Sequence, residues 1–180
     1  MSFVIRKAIF EDQSEIEKLI AESVRGLSRD DYNDQQIELS IKSVFGVDQE
    51  LIADQTYFVV ESEDGRIIGC GGWSKRKTLY GASNYQQSRD SNLLNPEIDS
   101  AKIRAFFIHP DFARKGIGTA ILEACEAEAK SFGFNSAEMM ATLPGVKLYG
   151  VRGYEGDEQV KVPIGENEEI ICIRMRKNLD

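Results

Sequence analysis

The chain has 180 residues, 42% hydrophobic and 29% charged, which is the balance of an ordinary globular protein long enough to bury a core without metal or disulfide staples. Its 30 acidic against 22 basic side chains leave a net charge of −8; this argues against a nucleic-acid or anionic-membrane surface and favours cationic partners such as amines. Cys70, Cys125 and Cys172 are odd in number and far apart, with no CxxC pair, so no disulfide framework and no metal site are expected, and a reducing cytoplasm is.

The N-terminal stretch MSFVIRKAIFED has no apolar signal core, and no membrane-length apolar run occurs elsewhere, so the expectation is a cytoplasmic protein without membrane contact. FVIRKA (3–8) reads as a first strand. In the following segment Ile16, Leu19, Ile20 and Val24 share one helical face, and a second helix is expected over Asn33–Phe45. TYFVVES (56–62) and RIIGCGGWSK (66–75) read as strands joined by a turn at Glu63-Asp64-Gly65. The segment 76–100 is rich in polar and turn residues, a length that inside a compact domain marks a functional or mobile connection.

AKIRAFFIHP (101–110) is the central strand candidate, ended by a proline. A helix from Gly116 to about Phe132 carries Ile117, Ala120, Ile121, Ala124 and Cys125 on one side and stops at Gly133. After it come a short strand NSAEMMA, a turn TLPG, a short helix VKLYGV, and closing strands GYEGDEQVKV and EEIICIRMRK. The order β-α-α-β-β-β-α-β-α-β-β, with no repeat or linker, describes a mixed α/β chain of one domain, residues 1–180.

The stretch FARKGIGTAILEACEAEAK (112–130) sets two basic residues before a glycine-opened helix inside an acidic chain. A helix start exposes unpaired N–H groups and the positive dipole end, and glycines let an anion approach the backbone. The pattern is not a P-loop, because Thr119-Ala120 follow Gly118, and not a dinucleotide fingerprint, because Ile121 stands where a third glycine belongs. On motif alone, a glycine turn into a packed helix is as good a reading.

With its strand before it and its helix after it, IHPDFARKGIGTAIL resembles the acetyl-CoA-binding motif of the GNAT superfamily of N-acetyltransferases. LPGVKLYGVRGYE resembles the second signature of that family, through Leu148, Tyr149, Gly153 and Tyr154. The element order resembles the family over essentially the whole chain. The resemblance implies a single-domain GNAT-like α/β fold, a mixed central sheet of about seven strands flanked by about four helices. It implies acetyl-CoA as co-substrate, with no metal, and a primary amine of a small molecule or peptide as acceptor; dimers are common in the family. Arg114, Lys115, Gly116, Ile117, Gly118 and Thr119 would cradle the CoA pyrophosphate. The backbone of Phe107 and Ile108 would face the pantetheine arm and thioester, and Tyr149 would protonate the leaving thiolate. Two departures stand out: Ala113 occupies the family's Gln/Arg position, and Pro144 replaces an Asn that often precedes the second signature.

The general base is open between His109, Glu97, Asp99 and a water chain. Histidine as a residue type titrates in the range a base needs, but His109 sits in a strand-ending His-Pro step. Glu97 and Asp99 lie at the entrance to the central strand, where solvated loop carboxylates are the plainer reading. With the net charge, they lead to the expectation of a mouth that attracts a cationic amine. Cys125 reads as a buried helix residue, Trp73 and Tyr80 as core or acceptor-pocket residues, and Lys75-Arg76-Lys77 as a solvated turn. The alternative to an enzyme is a non-catalytic acyl-CoA-binding sensor, which would share the pyrophosphate site and not need Tyr149.

Overall fold

A computed structural model describes residues 2–180. Among them, seven strands form one mixed sheet: β1 (Phe3–Lys7), β2 (Tyr57–Ser62), β3 (Ile67–Ser74), β4 (Ala101–Ile108), β5 (Ser136–Thr142), β6 (Glu155–Gly165) and β7 (Glu168–Asn178). Five α-helices accompany them: α1 (Gln13–Leu27), α2 (Asp34–Lys42), α3 (Gln49–Ala53), α4 (Ile117–Phe132) and α5 (Val146–Val151). The strand order is β1-β2-β3-β4-β5-β7-β6, antiparallel except for the parallel pair β4–β5. The seven-stranded α/β fold expected from the sequence is therefore present, with α3 as one helix more.

Two of the helices, α2 and α3, start where the sequence offers side-chain acceptors for unpaired N–H groups. Asn33 and Gln36 form a reciprocal capping box at α2, the Gln36 N–H donating to Asn33 Oδ1 at 2.9 Å and the Asn33 N–H to Gln36 Oε1 at 3.0 Å. Asp48 caps α3, accepting from the Glu50 N–H at 3.0 Å. The helix expected over Asn33–Phe45 ends at Lys42, and its last apolar residues, Val44 and Phe45, belong to the turn that leads to α3. Gly133 closes α4 in the left-handed region at φ 111°.

Apolar residues cover both faces of the sheet, as the βα connections require. Ile16, Leu19, Ile20 and Val24 of α1 pack with Ile37, Leu51 and Ile52 on one face. Ile117, Ile121, Leu122, Cys125 and Ala129 of α4 pack with Tyr149 and Tyr154 on the other.

Two features of β4 shape the middle of the molecule. Its pairing with β5 is confined to Ala101↔Ala137 and Lys102↔Glu138, after which the strands separate. Its register with β3 slips between Cys70 and Gly72, so that Arg104 faces Gly72 while Phe107 faces Cys70. This is a β-bulge, and Ala105 within it adopts φ 57°. A bulge bends and overtwists its strand, which directs β4 away from β5. At the closed end, Glu138 of β5 accepts from Lys102 of β4 and, at 2.8 Å, from Arg174 of β7. Burial opposes charge on Glu138, but those hydrogen bonds hold its carboxyl below the usual range.

The long segment 76–100 is ordered by its own backbone. The Lys77 N–H donates to Asn92 O (3.0 Å), Thr78 to Asp90 O (2.9 Å) and Leu94 to Lys75 O (2.8 Å), making a two-armed stalk. Its tip is tied down by the Tyr85 hydroxyl, which donates to Pro163 O of β6 at 2.9 Å.

Candidate active site

The separation of β4 from β5 opens a cleft, and the segments above it close part of that cleft into a cavity of about 80 Å³. Its floor and sides are β4 from Ile103 to Phe107, Met139, Met140 and Thr142 of β5, and Val162, Ile170 and Cys172 of the closing hairpin; Val44, Phe45 and Gly46 after α2 and Leu79–Ala82 at the stalk tip form the rest, with Tyr149 at one end. A water needs roughly 10–15 Å³ on this measure, so the space suits a small organic group.

Strand alternation decides which backbone groups face the cleft. The His109 N–H donates to Ile68 O of β3 at 2.9 Å, so the Phe107 N–H, two residues back, points the same way. The Ile108 N–H points to the opposite side, where it donates to the Ser23 hydroxyl of α1 at 3.1 Å. Of the two residues expected to offer their backbone, Ile108 alone has its N–H on the open side. Phe107 contributes its ring, packed edge-on against Phe45 at 5.6 Å.

Beyond β4 the chain makes one turn of 3-10 helix at Pro110–Phe112 and enters α4 through Arg114 (φ 60°) and Gly116 (φ 84°). Gly116 is the N-cap of α4 and brings no side-chain acceptor. The first helical bond runs from the Ala120 N–H to Gly116 O at 3.0 Å, which leaves the N–H groups of Ile117, Gly118 and Thr119 at the helix start without intrahelical partners. Arg114, Lys115 and Gly116 are exposed beside them, and Lys115 Nζ donates to Asp111 O at 2.8 Å. The two glycines have different reasons. A Cβ on Gly116 would meet nothing within 4 Å, so its need is the left-handed backbone, whereas a Cβ on Gly118 would stand 2.9 Å from Leu148 Cδ2 of α5.

Tyr149 is 8% exposed; its ring stands edge-on to Phe106 and to Tyr154, each at 6.1 Å. Its hydroxyl has no hydrogen-bond partner among the described residues. Burial, with the nearby Cys125 second, pushes its phenol pKa well above the ordinary value.

The remaining candidates lie elsewhere. His109 accepts from the Asp111 N–H through Nδ1 at 3.2 Å and has Nε2 3.4 Å from both Arg66 and Glu22; it does not line the cavity. Glu97 is exposed. Asp99 accepts from the Asn95 N–H at 2.7 Å, which makes it a turn residue. Both precede Ala101, at the closed end of the split, and neither lines the cavity. Cys125 is fully buried in α4, and Trp73 donates to Glu128 at 2.9 Å away from the cleft; Tyr80 does line the cavity.

Ser23 and Arg104 are the residues that the sequence reading passed over. Each had a visible signal: Ser23 is the polar member of an apolar helix face, and Arg104 is a charge inside an apolar central strand. Arg104 is buried, pairs with Asp48 and donates to Gly81 O at 2.7 Å.

The acetyltransferase (GNAT) family model matches residues 18–154. No curated protein matches significantly. Among solved structures, the chain is similar to a GCN5-related N-acetyltransferase from Rhodopseudomonas palustris, at 19% identity and a TM-score of 0.71 over 99% of this chain and 96% of that one. It is similar to the PaiA N-acetyltransferase from Thermoplasma acidophilum in complex with coenzyme A, at 16% identity and 0.67 over 99% of both chains. A phosphinothricin acetyltransferase from Sinorhizobium meliloti in complex with acetyl-CoA follows at 18% and 0.63, over 99% of this chain and 89% of that one. At such identities the likeness to these structures is one of fold.

Proposed function

The chain belongs to the acetyltransferase (GNAT) family, and from that premise we propose that it transfers an acetyl group from acetyl-CoA directly to a primary amine of a small molecule or peptide. One observation carries this reading: the part of β4 left without a β5 partner leads, through one 3-10 turn, into a helix start without a side-chain cap. The same stretch of chain thus offers donors for an extended amide-bearing arm and for the phosphates that end it. A pyrophosphate fits the N–H groups of Ile117, Gly118 and Thr119, with Arg114 and Lys115 beside them and nothing but hydrogen on Gly116. The Ile108 N–H suits an amide carbonyl of the arm, in place of or together with the Ser23 hydroxyl that now accepts from it.

Bound there, acetyl-CoA supplies a thioester whose C–S bond breaks as an N–C bond forms, so one proton has to leave the amine and one has to reach the sulfur. In this reading Tyr149 donates the second. Burial keeps its phenol protonated across the working range, and its hydroxyl has no competing partner. Burial also weakens it as an acid, so its effect is greatest when the hydrogen bond forms as charge develops on the sulfur. No carboxylate or histidine lines the cavity among the described residues. The amine therefore gives its proton to water and reacts in its neutral form.

Calorimetry with acetyl-CoA and a thiol-release assay over a panel of amines test the two halves of the proposal. Binding that raises the melting temperature, with thiol released only when an amine is present, is expected. Absence of acetyl-CoA binding would sink the reading, and binding without amine-dependent release would reduce the protein to an acyl-CoA-binding module.

A further inference from the structure

The acidic balance of the chain does not extend into the cavity. Its wall is made of the rings of Phe45, Tyr80 and Phe107 and the side chains of Met139 and Met140, and its one permanently charged residue is Arg104. That side chain is 2% exposed. Nη2 donates to Asp48 and to Gly81 O, while Nε and Nη1 are buried without a partner. Asp48 has little left to offer them, because its other oxygen accepts from the N–H groups of Glu50 and Leu51 at 3.0 and 3.4 Å. Three of five guanidinium protons are therefore unpaired in a water-excluded place, which native structures rarely tolerate without an oxygen from elsewhere.

An amine with a second cationic group would set that group against the unpaired N–H donors of Arg104, with the paired Asp48 carboxylate off the cavity wall and no other carboxylate on it, and donors facing a cation away from water are unfavourable. An amine with an anionic oxygen gains instead, and the wall rewards an apolar body. Resting on the acetyl-transfer reading above, we infer that the acceptor is a small amine with an apolar body and a carboxylate, of the kind of a hydrophobic α-amino acid, whose carboxylate Arg104 binds. Reaching the covered nitrogens requires the Tyr80–Gly81 segment, whose carbonyl rests on Nη2, to move aside; Gly81 stands there at φ 99°.

The experiment compares leucine, methionine and phenylalanine, each beside its amide and its decarboxylated amine, with spermidine as the polycation. Thiol release is followed with acetyl-CoA saturating, and kcat/KM is expressed per unit of free-base amine so that differences in the fraction of neutral amine drop out. A charge-assisted hydrogen bond in a dry site predicts that at least one amino acid exceeds its amide and its amine by about 10- to 100-fold. Arg104→Gln combined with Asp48→Asn removes both charges of the pair together, so that neither is left buried alone, and should erase that preference. If this variant does not fold, the wild-type comparison decides by itself. Equal rates for acid, amide and amine, a lead for spermidine, or no turnover of any amino acid while acetyl-CoA still raises the melting temperature would each overturn the inference and leave acetyl-CoA binding standing. Failure of acetyl-CoA to bind would remove the reading beneath it.

Discussion

Replacing Tyr149 with Phe separates chemistry from packing more cleanly than any other change in this molecule. The ring is 8% exposed and keeps its edge-on contacts with Phe106 and Tyr154, each at 6.1 Å. The hydroxyl has no hydrogen-bond partner among the described residues, so its removal strands no buried donor or acceptor. Stability should therefore change by no more than about 0.5 kcal/mol, or roughly 2 °C in melting temperature for a chain of this size. If the phenol donates the proton to sulfur, kcat should fall by roughly 10²- to 10⁴-fold, about 3–5 kcal/mol of transition-state stabilisation. Acetyl-CoA affinity should hardly move. The assay is thiol release at saturating acetyl-CoA and acceptor, run with thermal melts and calorimetry on the same preparations. A kcat within threefold of the parent would refute the assignment of Tyr149 as acid. A fall in kcat with an equal loss of stability would show instead that the hydroxyl acts through packing.

Tyr32→Phe should cost about 1–3 kcal/mol in denaturant unfolding, because the hydroxyl donates to Ile171 O at 2.7 Å and accepts from the Leu143 N–H at 2.9 Å; a loss below about 0.5 kcal/mol would mean that water replaces both bonds. Gly116→Ala should lose about 1–2 kcal/mol through its left-handed backbone alone, whereas Gly118→Val should lose about 1–3 kcal/mol by overpacking against Leu148 and weaken acetyl-CoA binding; unchanged affinity in a folded Gly118→Val protein argues against the phosphate cradle. Glu97→Gln together with Asp99→Asn should leave kcat/KM for amines within about twofold, since neither side chain lines the cavity; a tenfold fall would show that the closed end of the split reaches the acceptor. Burial raises the phenol pKa of Tyr32, Tyr57, Tyr149 and Tyr154 in the folded state. Above the unfolded value of about 10 the unfolded chain therefore holds fewer protons than the native one, so stability is complete below pH ~10 and falls as pH rises beyond it. Melts between pH 8 and 11.5 that show no alkaline decline would contradict this.

Local patterns in the sequence were enough for most of the elements and for one end of the site. Helix α4 announces itself through a 3.6-residue apolar period between Gly116 and Gly133, and α5 occupies the range Val146–Val151 read from the sequence. Such signals depend on neighbours in the chain, and so does a helix start that leaves its own N–H groups unpaired. Segment 76–100 shows where that kind of reading stops. Its order comes from cross-strand bonds between Lys77 and Asn92 and between Thr78 and Asp90, pairings 12 to 15 residues apart that no periodicity reports. The same limit explains α3, whose five residues are too short to show a period and which rests on the Asp48 cap.

What the amino-acid order determined by itself is therefore the sequence of strands and of the helices other than α3, the glycine-opened turn after β4 and the position of Tyr149 in its short helix, because each depends on contacts within a few residues. The tertiary structure decided the rest. A bulge at Ala105 turns β4 away from β5, strand alternation selects Ile108 over Phe107 as the N–H that faces the opening, and α3 and the stalk tip bring Asp48 and Gly81 onto Arg104 from 56 and 23 residues away. Glu97 and Asp99 stood close to β4 in sequence but at its paired end in space. The polarity of the cavity wall is thus set by the donors of one buried arginine, itself paired with Asp48, and not by the acidic surplus of the chain, because charges on the surface are screened by water far more than buried ones.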